Sequence, residues 1–397
     1  RIRGRLDVPA LRAALHELVD RHEALRTTFP APDGIPVRLV SPEAVVPWEH
    51  HRTDDPGLVD ALVAAAAGRG FPLDRGPLLH ATLVSSAPDE HVLVLAFHHA
   101  VVDAGSVRVL LDELRDAYRR TGDGRPAPPV LQAGDYAHWQ RGVAEQAVAT
   151  GLAHWRQVLA DLPAWELTPD RADPDDDNAG AVHVEPLPAG LVAGLGRLAA
   201  AEQATGFEAL LAAYGCVLGR HAGTDDLVVT VPVSDRERPE LAGVVGLLLG
   251  TVAVRLRPGG GFRATLRRTR DALRDAYAHR HVPFDRVVTA LGPGAPDLTR
   301  YTVNHDAEAI VPVTLADGTT VTPVSPTAAY AKAELGVLFE EHAEGHVASF
   351  LYRTGRHTPA RIAALAADLA AFLTAVVADP DTSALPDVRQ PAPVDPV

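Results

Sequence analysis

The clearest hydrophobic pattern in the chain is an unbroken apolar run from Val92 to Phe97, which ends in two adjacent histidines, His98 and His99. A short continuous run of this kind predicts a strand that is buried on both faces. Apolar residues then recur at helical spacing after Ser106, which is a suitable N-cap. The pattern therefore predicts a strand, a loop that carries two histidines, and a helix, in that order.

Helical and strand periods alternate along the rest of the chain, which predicts a mixed α/β (α+β) fold. A helix is expected after Asp7, and another after the cap-then-proline pair Thr358-Pro359. Further helices are predicted from Leu191 towards Glu202 and over Phe207–Gly219. Strands are predicted over Ala181–Val184 and Asp226–Val233, and a hairpin over Leu335–Phe339 and Val347–Tyr352.

A stretch without any apolar period divides the chain. Residues 168–179 are rich in Asp and Pro, which indicates a solvated linker rather than a calcium loop, because the ligand spacing and glycine of such a loop are missing. We therefore expect an N-terminal lobe over residues 1–167 and a C-terminal lobe over residues 180–397.

Composition narrows the function classes. The chain has 397 residues and a net charge of −14, and this acidic balance argues against a nucleic-acid partner. Cys216 is the only cysteine, so no internal disulfide forms, and a reducing cytoplasmic setting is expected. The longest apolar run, residues 241–254, is shorter than the roughly 20 residues that a membrane span needs, so no membrane association is expected.

The histidine loop is the candidate site. Neighbouring side chains on a strand point to opposite faces, so His98 and His99 do not both face one substrate; we expect one to act and the other to pack. Asp103 is expected to fix the loop by pairing with an arginine. Two alternatives stay open from these residues alone: satisfied core histidines, or a His-His-Asp metal site.

The loop resembles a family signature. Residues His98 to Asp103 match the first six positions of His-His-x-x-x-Asp-Gly, the signature of the condensation domains of nonribosomal peptide synthetases, which belong to the chloramphenicol-acetyltransferase-like acyltransferases. The seventh position is Ala104 instead of glycine, and Gly105 follows. The segment from Arg21 to Phe29 resembles a second motif of the family, Arg-His-Glu-x-Leu-Arg-Thr-x-Phe, at every specified position.

Three later segments resemble further motifs of that family in the same order. Residues Asp135–Trp139 resemble the fourth motif, although Tyr136 and Trp139 by themselves indicate core aromatics. Residues Val245–Arg255 resemble the fifth, with Gly250 in place of an asparagine. Residues His281–Asp285 resemble the sixth. The resemblance covers essentially the whole chain.

The resemblance implies two chloramphenicol-acetyltransferase-like lobes in a V-shaped pseudo-dimer with a tunnel between them. Donor and acceptor peptidyl carrier proteins would deliver substrates on 4′-phosphopantetheine from opposite mouths of that tunnel. The domain itself would bind no cofactor and no metal, and it would adjoin other domains of a larger synthetase.

The resemblance also assigns roles to residues. His99 would be the general base or would hold the nucleophile, and His98 would pack. Asp103 would pair with Arg26 or with Arg255, between which the sequence does not choose. Backbone N–H groups of Gly105 and Ser106 would bind the oxyanion or support the loop. From the other lobe, Gly250 and Thr251 would line the tunnel.

Three functions compete. The first is condensation of a carrier-bound acyl or peptidyl thioester with an acceptor amine or hydroxyl. The second is a related acyltransferase that uses a free or coenzyme A-linked substrate, which would turn over without a carrier. The third is a non-catalytic condensation-like domain that recruits another enzyme, whose binding would survive the loss of His99. Retention of both histidines disfavours the third.

Overall fold

The structure, a computed structural model, describes residues 1–120, 129, 131–171, 178–306, 312–315, 318–324, 330–342 and 345–382. Its helices are α1 Val8–Arg21, α2 Pro56–Ala67, α3 Ala104–Arg119, α4 Ala133–Val158, α5 Ala189–Ala201, α6 Gly206–Ala222, α7 Phe262–Ala278, α8 Phe284–Leu291 and α9 Pro359–Ala378. Its strands are β1 Ile2–Arg3, β2 Thr27–Thr28, β3 Leu39–Val40, β4 Trp48–Arg52, β5 Leu79–Ala87, β6 Glu90–Phe97, β7 Gly180–Leu187, β8 Leu227–Ser234, β9 Leu249–Leu256, β10 Tyr301–Asp306, β11 Val313–Thr314, β12 Thr320–Val321, β13 Leu335–His342 and β14 Gly345–Arg353.

The chain forms two compact units that are not contiguous in sequence. The first contains Arg1–Gly142, Ser234–Leu249 and Ile310–Pro326, and the second contains the remainder. This division differs from the expected lobes at 1–167 and 180–397, because two segments of the second half belong to the first unit and the boundary falls inside α4. Most of the expected linker, residues 172–177, lies outside the described residues.

The first unit is built on a six-stranded sheet in the order β11-β12-β1-β6-β5-β4. Strands β5 and β6 pair antiparallel over almost their whole length, and β4 pairs parallel to β5. The side chains of Leu79, Ala81 and Leu83 are buried in a cluster with apolar residues of α1 and α3. The predicted strand over Val92–Phe97 is confirmed, but its residues are half-buried, so the expected burial on both faces was wrong.

Two side chains of the second motif fasten α1 to α3. His22 is fully buried, and its Nε2 lies 2.7 Å from Oε2 of Glu113 on α3. The Nε of Arg21 donates to Oε1 of the same carboxylate at 3.2 Å. Burial raises the pKa of Glu113, but His22 and Arg21 outweigh burial and hold the pKa below its usual value. The motif therefore fixes the helix that follows the histidine loop.

The second unit is built on a second six-stranded sheet, in the order β7-β14-β13-β10-β8-β9. Its largest core element is α6, where Tyr214 and the lone Cys216 are buried. The predicted hairpin is confirmed as β13 and β14, which pair antiparallel. The cap-then-proline signal is confirmed too, because the Thr358 side chain accepts from the N–H of Arg361 at the start of α9.

Within the described residues, α9 is the one helix that is long and apolar enough to meet the criterion for a membrane span. Its stripe of Ile362, Leu365 and Leu369 is buried in the core of the second unit. Because a core helix passes the same length and composition test, α9 is weak evidence for a membrane span.

Candidate active site

The histidine loop is a tight turn between β6 and α3. The backbone N–H of His98 still donates to the carbonyl of Leu78 at 2.9 Å, so the strand ladder continues to that residue. The N–H of Val101 then donates to the carbonyl of His98 at 3.1 Å, which closes the turn. The chain enters α3 at Ala104, so only five residues separate the last strand residue from the N-cap of the helix, Asp103.

The ring of His98 supports the loop. It is half-buried, and its Nδ1 accepts a hydrogen bond from the backbone N–H of Ala100 at 3.0 Å. It also makes a T-shaped contact with Phe71, with ring centroids 6.5 Å apart and nearly perpendicular planes. An Nδ1 that accepts must carry no hydrogen, so His98 holds the tautomer with the hydrogen on Nε2.

The ring of His99 is exposed and is oriented through Nδ1. Its Nδ1 lies 2.7 Å from the carbonyl oxygen of Val102. Because a carbonyl only accepts, Nδ1 must carry the hydrogen, and the lone pair of the neutral ring is on Nε2. The loop therefore presents a fixed imidazole whose Nε2 is ready to take a proton.

The carboxylate of Asp103 is the most heavily bonded group of the loop. It is 3% exposed. Its Oδ1 accepts from the N–H of Ser106 at 2.7 Å and from Nη2 of Arg236 at 2.7 Å. Its Oδ2 accepts from the N–H of Leu248 at 3.0 Å and from Nε of Arg236 at 3.3 Å. With its oxygens used by N–H donors, Asp103 is a structural anchor rather than a metal ligand or a substrate contact.

Arg236 ties segment 234–249 to the start of α3. Besides its two bonds to Asp103, its Nη1 donates to the carbonyls of Val244 at 2.8 Å and Leu241 at 3.2 Å. Gly105 makes room for it, since a Cβ there would lie 2.5 Å from Cδ of Arg236. A side chain at position 105 would therefore displace the guanidinium, which gives a packing reason for the glycine one place after the signature.

Burial raises the pKa of Asp103, but the Arg236 guanidinium and the N–H groups of Ser106 and Leu248 outweigh burial and hold the pKa below its usual value. The carboxyl group is therefore ionised at neutral pH, and the ion pair is intact there.

The predicted partners of Asp103 were wrong. Arg26 instead donates through Nη1 to the carbonyl of Ser41 at 2.5 Å. Arg255 lies in the second unit, where its Nε and Nη2 donate to Asp226 at 2.7 and 2.6 Å. The sequence did carry a signal for the true partner, because Arg236 stands in the polar turn of residues 235–239 directly after a predicted buried strand.

The role of Ser106 also needs correction. Asp103, not Ser106, is the N-cap of α3, and Ser106 occupies the third helical position, where it completes a capping box. Its N–H is taken by Asp103, and its buried Oγ accepts from the N–H of Gly246 at 3.0 Å. Ser106 is therefore not available to an oxyanion. The N–H groups of Ala104 and Gly105 belong to the first helical turn, where no intrahelical acceptor exists.

Comparison with known proteins identifies the family. The family model described as Condensation domain matches residues 1–385. The chain belongs to the condensation-domain family of nonribosomal peptide synthetases.

Relatives and solved structures agree with this assignment. Chondramide synthase from Chondromyces crocatus is 33% identical over 95% of this chain, and the match spans only 10% of the synthase. The X-domain in its complex with OxyB from teicoplanin biosynthesis has a TM-score of 0.84 at 25% identity, covering 96% of this chain and 87% of the other. The first condensation domain of the calcium-dependent antibiotic synthetase has a TM-score of 0.77 at 24% identity, covering 96% and 90%. The predicted mixed α/β fold class is thereby confirmed.

Tyr136 of this condensation domain is a core aromatic, as predicted, and it also supports the segment that carries Arg236. It is 5% exposed, and its hydroxyl donates to Oδ2 of Asp235 at 2.9 Å. It packs with Leu241, Val244 and Leu248 of the same segment that carries Arg236. Burial, followed by the Asp235 carboxylate, raises the pKa of Tyr136 well above its usual value, so the hydroxyl remains a donor.

The remaining predicted residues lie in the second unit. Gly250 and Thr251 are half-buried residues of β9, and a Cβ at Gly250 would lie 3.3 Å from Cγ2 of Val233. Arg255 also donates to the carbonyls of Val158 and Ala160, so it fastens β9 to the end of α4. Arg255 is thus a structural residue of its own unit, whereas a tunnel role for Gly250 and Thr251 stays a prediction.

A double-mutant cycle tests the anchor. Asp103→Ala and Arg236→Ala should each lower the free energy of unfolding by about 3–5 kcal/mol, because each leaves a buried charge unpaired. The double variant should lose clearly less than the sum, as measured by urea unfolding. The matched cycle of Asp103→Ala with Arg26→Ala should be additive within about 0.5 kcal/mol. Additivity in the Arg236 cycle would contradict the anchor.

The signature departure at position 104 should be harmless. Ala104 is the first residue of α3, is exposed and is not among the residues with positive φ, so glycine is not required there. If the chain catalyses acyl transfer, we expect Ala104→Gly to change the rate of that transfer by a few fold at most. A hundredfold gain, or about 2.7 kcal/mol of barrier, would show that the loop is misplaced. The matched variant Gly105→Ala should be far more damaging, since it displaces Arg236.

Proposed function

We propose that this condensation domain joins a carrier-bound acyl or peptidyl thioester to an acceptor amine or hydroxyl. The observation that carries the proposal is the state of His99: an exposed ring, oriented through Nδ1 by the Val102 carbonyl, with its lone pair on Nε2. Such a ring suits proton transfer, because the lone pair on Nε2 can accept a proton from the attacking group.

The proposed reaction forms one bond, breaks one bond and passes the proton of the acceptor to the leaving group. The acceptor nitrogen attacks the thioester carbon and forms the new C–N bond, while its proton moves to Nε2 of His99. The C–S bond then breaks, and the proton passes to the departing thiolate. A hydroxyl acceptor would react in the same way and give an ester.

The oxyanion of the tetrahedral intermediate needs donors close to His99. The N–H groups of Ala104 and Gly105 lie in the first turn of α3, two and three residues beyond the Val102 carbonyl that orients His99. The positive end of a helix dipole favours negative charge at this point. In the proposed mechanism these N–H groups replace the predicted contribution of Ser106.

The substrates are proposed to arrive on 4′-phosphopantetheine arms of donor and acceptor carrier proteins, through a tunnel with two mouths that Gly250 and Thr251 line. Support comes from the family membership and from the synthases that the chain resembles, of which it spans a small part. Adjacent domains of a larger synthetase would present the carriers.

A second candidate function is recruitment of another enzyme. It is favoured by the similarity to an X-domain whose structure was solved in complex with OxyB. The intact histidine loop weighs against it, because recruitment does not require an imidazole that is oriented for proton transfer.

Removal of His99 tests the proposed chemistry. We expect His99→Ala to lower the single-turnover rate between two loaded carriers by about 10²–10⁴-fold, the usual contribution of a general base. Intact-mass spectrometry of both carriers measures the transfer. The adjacent variant His98→Ala is the matched comparison, and it should lower thermal stability more than it lowers the rate.

Three outcomes separate the competing functions. Transfer at the wild-type rate by folded His99→Ala protein would refute the general-base role. Transfer to a free acceptor without any acceptor carrier would favour the related acyltransferase. Absence of transfer, together with partner binding that is unchanged in His99→Ala, would favour recruitment.

A further inference from the structure

A second cluster of chemically capable side chains lies in the second unit and shares no residue with the His99 loop. It consists of His154 near the end of α4, Asp275 in the last turn of α7 and His279 directly after α7. None of the motifs or roles described above uses these three side chains. We call them the His154 cluster.

The three side chains converge. Nε2 of His154 lies 3.4 Å from Oδ2 of Asp275, and Nδ1 of His279 lies 3.6 Å from Oδ1 of the same carboxylate. The same Nδ1 lies 2.9 Å from the backbone carbonyl oxygen of Asp275, so it carries the hydrogen, and His279 would bind an ion through the lone pair on Nε2. The two imidazole rings are parallel within 5°, with centroids 3.6 Å apart. One ligand atom from each residue lies within 4.8 Å of the others. Two imidazoles and one carboxylate form the donor set of many zinc sites that keep an open position.

The backbone that carries the cluster is firmly packed. Trp155 is 2% exposed, and its indole N–H donates to the carbonyl of His279 at 3.4 Å. Gly151 permits the close approach, since a Cβ there would lie 2.8 Å from Cγ2 of Val282 and 3.6 Å from Cδ2 of His279. Asp275 and His279 are four residues apart at the end of one helix, so they share a face. The backbone positions of the three residues are therefore fixed before any ion binds.

The polar atoms of the cluster are incompletely satisfied. Nε2 of His154 is buried and has no hydrogen-bond partner among the described residues, although the Asp275 carboxylate is nearby. In the tautomer with its lone pair on Nε2, that lone pair faces carboxylate oxygen, an arrangement that a cation between them would stabilise.

Binding requires only side-chain movement. In a tetrahedral site with metal–ligand bonds of 2.0–2.1 Å, ligand atoms are about 3.3 Å apart, so the cluster must contract and the parallel rings must rotate out of their stack. Imidazole nitrogen favours zinc, nickel and copper over calcium and magnesium, which prefer oxygen ligands.

We propose that His154, Asp275 and His279 bind one divalent transition-metal ion of the zinc class and so fasten the end of α4 to the end of α7. At least one coordination position would remain for water, because the chain supplies three ligands. The ion would stabilise the second unit and would take no part in the proton transfer at His99.

A zinc titration of the complete chain tests the proposal. The protein is prepared without a polyhistidine tag, treated with a chelator and titrated with Zn²⁺ by calorimetry at pH 7.5. We expect one equivalent to bind, and we expect His154→Phe to weaken that binding at least tenfold while preserving the aromatic stack. Asp275→Asn should weaken it as well. Loss of an outer-shell partner alone typically costs ~10–100-fold in affinity, so loss of a direct ligand should be easily measured.

The matched control is His138→Ala, which removes an exposed histidine from the same helix and should leave the affinity unchanged. Far-UV circular dichroism of each variant separates lost binding from lost folding. A Co²⁺ titration adds a second readout, since its visible absorption reports the coordination number. If wild-type protein binds no Zn²⁺, the proposal fails. If His154→Phe binds Zn²⁺ as tightly as wild type, the ion is adventitious at other histidines, and the proposal fails as well.

Discussion

The histidine loop depends on the carboxylate of Asp103, a single buried anion that receives four N–H donors. Two of these come from Arg236, which is 133 residues away in sequence, and one comes from Leu248 in the same returning segment. The net stabilisation from such a pair is small, because both charges lose water on burial, but loss of one partner is costly. The physical value of the pair is therefore geometric: it fixes where α3 begins, and so where the turn that holds His99 must lie.

His99 takes its orientation from a backbone carbonyl and not from a carboxylate. In Ser-His-Asp triads, the aspartate both orients the histidine and stabilises the imidazolium that forms. The Val102 carbonyl fixes the tautomer but offers much less charge stabilisation. A thioester is already an activated acyl group, so an imidazole that is held in position by a carbonyl suits the proposed reaction. The carboxylate of this loop, that of Asp103, pairs with Arg236 instead and stabilises the fold.

The discontinuous first unit has a direct consequence for the site. Ser106 and Asp103 lie on the first half of the chain, whereas Arg236, Gly246 and Leu248 return from the second half between β8 and β9. Close contacts at two glycines hold the returning segment in place. Gly105 accommodates Arg236, and a Cβ at Gly246 would lie 2.6 Å from Cβ of Ala133. Tyr136 adds a hydrogen bond to Asp235 at the other end of the segment. The loop is thus supported by close packing at two glycines and by the polar contacts of Asp103 and Ser106 with the returning segment.

The sequence by itself determined the local elements and the family. Period, caps and proline placement act over a few residues, so they predicted the strand before His98, the helix after Asp7 and the helix after Thr358. The ordered motifs from Arg21 to Asp285 indicated a condensation domain. Tertiary structure alone decided which arginine pairs with Asp103, which segments of the chain form each unit, and how far β6 is buried. These features depend on which distant backbone segments come together in the fold. The residues around an arginine do not indicate which distant carboxylate it will pair with. Even the N-cap of α3 was settled in this way, because Asp103 and Ser106 are both good caps and the contacts to Arg236 and Gly246 fixed their roles.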